Sequence, residues 1–285
     1  MLISDRIKQN YAFLSTKQKK IADYLLEHDD EMGFKTLKNI SSDVGVTEVT
    51  IINFCRALGF SNYMEMKLLY RNEVSERYSP TKKIFGSFME DGEFSRFLPE
   101  VIEKQIQNHT RTLYRLDEES ISKTVKLIGE ARKVYIFCRG LTVSISTFFK
   151  GRLDSLAIDS EIVDTSLLDN RFFMNSVRFT KNDVYIFMTY PVYSKVLLKF
   201  CEHFKSKGYN VIALTDKPDS PIVKHACICF FTDNDSYVFF NSFQSLVSVI
   251  EIIAILLHNT LKDRLLAQKG AVEEMEKEFE NFALK

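Results

Sequence analysis

Val49, Ile52, Asn53 and Arg56 recur at helical spacing inside the segment Thr47 to Leu58 of this 285-residue chain. Placed at about 100° per residue they share one side of a helix, while Ile51, Phe54, Cys55 and Leu58 share the opposite side. The second set reads as core and the first as a surface. An amide and a guanidinium beside β-branched methyl groups suit a DNA major groove, where Asn and Arg bond base edges and methyls meet thymine methyls. Asn53 and Arg56 are the expected base contacts, and Thr47 and Thr50 are expected to touch phosphate or cap the helix. The competing reading is a small helical bundle in which Val49 and Ile52 pack on a neighbour.

A second set of chemistry-bearing residues lies further along, after two apolar runs. Cys138-Arg139-Gly140-Leu141-Thr142 and Thr189-Tyr190-Pro191-Val192-Tyr193-Ser194 stand where strands would hand over to helices, the place in α/β folds where free N–H groups and the helix dipole attract anions. The hydroxyls of Thr142, Thr189 and Ser194 and the charge of Arg139 either bind phosphate oxygens or, for the hydroxyls, cap helices. Proton transfer between adjacent sugar carbons would need a placed Glu or His. Glu251, His203, His225 and His258 are the candidates, but Asn241, Gln244, Ser248, Glu251 and His258 also form one polar helical stripe, which could line a ligand, face a partner or be solvated.

The elements that must position these residues change character along the chain. Helical patterns run from Leu2 to Phe13, Thr16 to Glu27 (with Ser15 and Gln18 as a capping box), Leu37 to Val44, Thr47 to Leu58 and Asn62 to Arg77. Gly45 between the third and fourth makes a helix-turn-helix signature. Pro80, Gly86 and Gly92 then interrupt the pattern over Ser79 to Glu93. Helical stretches from Phe97 to Leu116 and from Glu118 to Glu130 follow. Beyond them come short apolar runs at Lys133 to Cys138, Glu161 to Asp164, Asp183 to Thr189, Asn210 to Thr215 and Cys227 to Thr232. Their alternation with helix-length segments predicts about five parallel strands covered on both faces. The expected organisation is an all-α helix-turn-helix domain over 1–78, a linker over 79–96, an α/β domain with a five-stranded parallel sheet over 97–268, and an acidic C-terminal helix within 269–285 carrying Met275, Phe279 and Phe282.

Charge is balanced, with 38 Lys+Arg against 38 Asp+Glu, so any DNA-gripping charge must be local. Lys17, Lys19, Lys20, Lys67, Arg71 and Arg77 are the clusters available, and modest affinity per subunit favours a homodimer, or a higher homo-oligomer, presenting two reading helices to two half-sites. The five cysteines are odd in number and lack a Cys-x-x-Cys pair, which points to buried thiols in a reducing cytoplasm and to no metal site. No secretory signal is apparent, and the apolar run Val247 to Leu257 is too short to span a bilayer and contains Glu251. No membrane association and no cofactor are expected.

The strings VTEVTIINFCRALGF, KVYIFCRGLT and VIALTDKPDSPI, in this order, resemble the RpiR (MurR/RpiR) family of bacterial transcription regulators over nearly the whole chain. The family's Phe-Cys-x-x-Leu-Gly-Phe ending is met by Phe54, Cys55, Leu58, Gly59 and Phe60. The resemblance implies an N-terminal helix-turn-helix domain joined to a sugar isomerase (SIS) domain that binds a phosphosugar without isomerising it. It therefore implies double-stranded operator DNA contacted through Thr47, Val49, Thr50, Ile52, Asn53 and Arg56. A small-molecule effector would be held through Arg139, Gly140, Thr142, Thr189 and Ser194. Departures from the family are also legible: Asn53 stands where Arg is common, Gly140 alone survives of a Gly-x-Gly loop, and Pro191 and Val192 replace parts of a Ser-x-Ser-Gly-x-Thr phosphate loop, removing an N–H donor and a permissive backbone. Thr215-Asp216 and Ser220-Pro221 keep the later pattern. The alternatives are a DNA-binding protein whose SIS-like domain only dimerises, or a sugar-phosphate isomerase.

Overall fold

Reciprocal caps start two helices of the N-terminal unit. In the computed structural model, which describes residues 3–28, 32, 35–77, 84, 94–168, 170–239 and 241–283, the Ser15 hydroxyl accepts from the Gln18 N–H while the Gln18 side chain accepts from the Ser15 N–H. Thr36 and Asn39 repeat the arrangement one helix later. The helices are α1 (Ile3–Asn10), α2 (Thr16–Glu27), α3 (Leu37–Val44), α4 (Glu48–Ala57) and α5 (Tyr63–Arg77). A 3₁₀ turn at Tyr11–Phe13 replaces the end of the first expected helix. Gly45 ends α3 at φ +70°, a left-handed conformation that a side chain disfavours. Ile3, Ile7, Ile21, Leu25, Ile40, Ile51, Phe54, Cys55 and Met66 form its core without solvent exposure. Every helix thus contributes an apolar stripe.

The chain divides into two compact units, Met1–Asp91 with Tyr237–Phe240 and Gly92–Ser236 with Asn241–Lys285. Apart from Ile84, the segment 79–93 read as a joint lies outside the described residues. In the second unit α6 (Phe94–Tyr114) and α7 (Glu118–Glu130) precede β1 (Val134–Cys138), α8 (Thr142–Ser155), β2 (Ser160–Asp164), α9 (Asn170–Asn175), β3 (Val184–Met188), α10 (Lys195–Ser206), β4 (Asn210–Thr215), β5 (Ile228–Phe231), α11 (Gln244–Thr260) and α12 (Lys262–Ala283). All four strand pairings are parallel, in the order β2-β1-β3-β4-β5. This is the expected five-stranded sheet of an α/β domain. β1 and β3 are buried at every position, because both faces are covered.

The two faces differ in chemistry. Val134, Ile136, Val184, Ile186, Ile212 and Leu214 face α7, α8 and α11 in an aliphatic layer. Tyr135, Phe137, Tyr185 and Phe187, one residue out of phase on the same strands, join Phe179, Phe204 and Leu197 in an aromatic layer. The reversal of strand order between β1 and β3 opens a crevice at their carboxyl ends. That is where the two candidate loops emerge.

The terminal helix begins at Lys262, before the 269–285 span read from sequence, and Leu266, Val272 and Met275 on it stay more than half exposed. Cys227 departs from the buried role expected of the cysteines: it is exposed, and Cys229 is intermediate. No single helix among the described residues is long and apolar enough to cross a membrane.

Candidate functional site

Thr47 sets the start of α4. Its Oγ1 accepts from the Thr50 N–H at 3.3 Å and lies 2.8 Å from Thr50 Oγ1, so both hydroxyls belong to the cap. Ile51, Phe54 and Cys55 are fully buried and Leu58 nearly so. Burial pushes the Cys55 thiol up to about 12, and its sulfur lies 3.8 Å from Met66 Sδ. With that side fixed in the core, the opposite side must face out: Val49 is 64% exposed, Asn53 and Arg56 are exposed, and Ile52 is half-buried. Neither Asn53 nor Arg56 has a side-chain partner among the described residues. The structure brings the six nominated residues of 47–56 onto or beside one helix surface.

The basic clusters are less uniform. Lys17 and Lys20 are exposed, and Lys19 lies 5.5 Å over the Tyr11 ring. Lys67 donates to the Lys35 carbonyl and Lys35 pairs with Asp43 at 2.8 Å, so Lys67 serves structure inside the unit. The side chains of Arg71 and Arg77 lie outside the described residues.

At the strand ends Thr142 and Thr189 are buried, Ser194 is half-buried, and Arg139 and Gly140 are exposed. Gly140 bends the β1 loop at φ +64°. Thr142 Oγ1 donates to the Arg139 carbonyl at 3.0 Å and accepts from the Arg139 N–H at 3.1 Å, and Thr142 is 5% exposed. The Arg139 guanidinium donates to the Thr165 carbonyl at 3.1 Å. Thr189 is buried at the end of β3, its N–H on the Leu214 carbonyl. Ser194 caps α10, accepting from the Leu197 N–H at 3.4 Å. The crevice therefore gathers Arg139, Gly140, Thr142, Thr189 and Ser194 around two adjoining loops. Its polar side chains are largely spent on the loops themselves.

Two tyrosines that sequence reasoning left without a role hold the second loop. Tyr190 OH lies 2.6 Å from Thr232 Oγ1, and Tyr193 OH donates to Asp216 with both carboxylate oxygens at 2.9 Å. Thr215 Oγ1 lies 3.1 Å from Asp216 Oδ1 and 2.7 Å from Ser220 Oγ, which explains why Thr215-Asp216 and Ser220 keep their pattern. Burial raises the Asp216 carboxyl above the ordinary carboxylate range, opposed by the Tyr193 hydrogen bond. Between the tyrosines Val192 takes φ +43°, a left-handed backbone that glycine adopts freely. The available signal was the pair of tyrosines bracketing Pro191-Val192, since a buried tyrosine hydroxyl requires a partner.

The residues considered for proton transfer have other occupations. Glu251 accepts from Arg152 Nε at 3.0 Å, and Ser248 Oγ lies 3.2 Å from His109 Nδ1. The polar stripe on α11 thus meets α8 and α6 of its own unit. His225 sits in a short 3₁₀ turn, its pKa lowered by burial, while His203 and His258 are exposed on α10 and α11. No group of three His, Cys, Asp or Glu among the described residues could hold a metal ion.

Comparison with known proteins accounts for both units. Residues 1–77 match the helix-turn-helix domain of the rpiR family, and residues 127–256 match the SIS domain. An uncharacterised helix-turn-helix-type transcriptional regulator of Haemophilus influenzae is 25% identical over 225 residues, 79% of this chain and 77% of its own. The Vibrio vulnificus NanR protein, solved in complex with ManNAc-6P, shares the fold over 99% of both chains with a TM-score of 0.63 at 16% identity. The sugar isomerase domain of an RpiR transcription factor from Sphaerobacter thermophilus aligns with 61% of this chain and 97% of its own, with a TM-score of 0.56 at 20% identity. The helix capped at Thr47 after the Gly45 turn, a parallel sheet in the order β2-β1-β3-β4-β5 and these two domain matches give one result: the chain belongs to the RpiR family of transcription regulators, a helix-turn-helix domain followed by an SIS domain.

Proposed function

We propose that this regulator reads its operator with α4 and senses a sugar phosphate at the carboxyl ends of β1 and β3. Asn53 and Arg56 contact bases, Val49 and Ile52 supply methyl contacts, and Thr47 and Thr50 hold the helix start against phosphates. The observation that carries the DNA half is that Asn53 and Arg56 are exposed and uncommitted on a helix whose other side is fully buried. For the effector half the support is the fold shared end to end with NanR, a protein solved with ManNAc-6P bound. Arg139, Gly140, Thr142, Thr189 and Ser194 stand in the crevice where such a ligand belongs. The SIS domain acts as a sensor rather than an isomerase, a reading supported by the transcriptional regulators among its relatives, and Glu251, the carboxylate considered for proton transfer, pairs with Arg152.

The chain works as a cytoplasmic homodimer, which places two reading helices on two half-sites. Leu266, Val272 and Met275, uncovered on α12, are available to the subunit boundary. Effector contacts bias the spacing of the reading helices and so the operator affinity. A second reading, an SIS domain that only dimerises, is favoured by one observation: Tyr190 and Tyr193 tie the second loop to Thr232 and Asp216. Calorimetric titration of the full chain with ManNAc-6P and a panel of other phosphosugars separates the two. Saturable binding lost on Thr142→Trp supports sensing; millimolar silence across the panel leaves the dimerising reading.

A further inference from the structure

The aromatic face of the sheet carries a cavity of about 640 Å³ between α9 and α10 that none of the strand-end candidates lines. Its walls include Phe172, Phe179, Phe200, Phe204 and Tyr209. These rings are held by one another, with Phe172 to Phe200 centroids at 5.4 Å and Phe179 to Phe204 at 5.3 Å. The volume falls within the usual range of roughly 300–1,000 Å³ for small-molecule sites, which are apolar with a few placed polar groups. Four polar side chains reach it: Ser176, Lys199, His203 and Tyr209. The Ser176 hydroxyl donates to the Phe173 carbonyl at 2.7 Å and the Tyr209 hydroxyl to the Phe179 carbonyl at 3.1 Å. Lys199 and the His203 ring, one turn apart on α10, have no hydrogen-bond or ion-pair partner among the described residues. Among the described residues no acidic side chain lines the cavity.

We infer that this cavity is a second ligand site, which takes a small apolar carboxylate with its hydrocarbon body against the phenylalanines and its anionic head on Lys199 and His203. The chemistry follows from what is left unsatisfied. The walls are chiefly aromatic, and the polar groups left without a partner among the described residues, Lys199 and His203, can donate to an anionic head. The site stands apart from the crevice proposed for the sugar phosphate, so either can fail without the other.

The test is a titration of the full chain with 8-anilinonaphthalene-1-sulfonate, an apolar body with one anionic group, followed by displacement with octanoate and with octan-1-ol. One saturable site per chain is expected, displaced at least about tenfold better by octanoate than by the alcohol, the size of one hydrogen bond to a charged group. Lys199→Glu, an exposed position, weakens the dye about tenfold or more. Val196→Trp, which fills the cavity from a partly exposed position, abolishes binding while the melting temperature stays within a few degrees. Unsaturable binding, equal displacement by octan-1-ol or an unchanged titration in both variants overturns the inference. So does concentration-dependent self-association that excludes the dye, which would give the cavity to a second copy of the chain.

Discussion

On α4 Asn53 and Arg56 point away from a buried ridge and hold nothing among the described residues, whereas at the strand ends Thr142 and Thr189 are buried and the Thr142 hydroxyl and the Arg139 guanidinium are bonded within the domain. Asn53 and Arg56 are exposed without partners among the described residues, while Thr142 exchanges two hydrogen bonds with Arg139 and Ser194 caps α10. Both surfaces were nominated on residue type and spacing, yet they are prepared for different work. A surface that meets a large, rigid partner benefits from groups that are positioned by the scaffold and free to bond. A loop whose hydroxyls are already satisfied binds a new ligand only by exchanging internal hydrogen bonds for external ones, so its affinity is a difference between similar terms.

The comparison can be broken or sharpened by four experiments. The largest effect is expected for Phe54→Ala, which empties a fully buried ring behind the reading face and costs about 3–5 kcal/mol. Denaturant unfolding followed by circular dichroism checks this, and an unchanged N-terminal transition would mean that the reading face does not depend on the core behind it. Next, Tyr193→Phe removes the hydroxyl that lies 2.9 Å from both oxygens of Asp216, at a cost of about 1.5–3 kcal/mol. A loss in the second unit with no change in operator affinity would confirm that the loop network is structural; equal loss of both would couple the two surfaces.

Arg56→Ala is expected to leave the unfolding midpoint unchanged and to take about 1–3 kcal/mol from operator binding, read by fluorescence anisotropy on the intergenic DNA beside the gene. Equal weakening on unrelated DNA would move Arg56 from base reading to phosphate gripping. The smallest effect is a slope. The Asp216 carboxyl is raised by burial in the folded chain, so its stabilising contribution is full below the ordinary carboxylate range and is lost as pH rises through the elevated value. The stability of the parent chain relative to Asp216→Asn should therefore fall from acid toward neutral pH; a flat difference would remove the shift.

The helix-turn-helix was legible because its determinants are local. Ser15-Gln18, Gly45 and Thr47 act within one turn of themselves, and the 3.6-residue period separated Ile51, Phe54, Cys55 and Leu58 from Val49, Asn53 and Arg56. The five strands were legible for a similar reason, since runs such as Val134–Cys138 are apolar throughout only when both faces are covered. The state of the effector loops was not. Thr142 bonds Arg139 only three residues away, but whether the Arg139 guanidinium is free for a ligand depends on where it meets Thr165, 26 residues apart in sequence. Tyr193 and Asp216, 23 apart, carry no mark of one another in the chain.

The aromatic cavity shows the same limit from another side. Phe172, Phe179, Phe200 and Tyr209 come from a short helix, a turn, the middle of α10 and the residue before β4, and no period links them. What the sequence determined alone was the order of elements, the capped reading helix and the positions where strands hand over to helices, because these follow from short-range sterics, caps and hydrophobic period. Only the tertiary structure decided which polar groups are already satisfied and which are left over, because hydrogen-bond satisfaction and cavity volume are sums over neighbours that only the folded chain assembles.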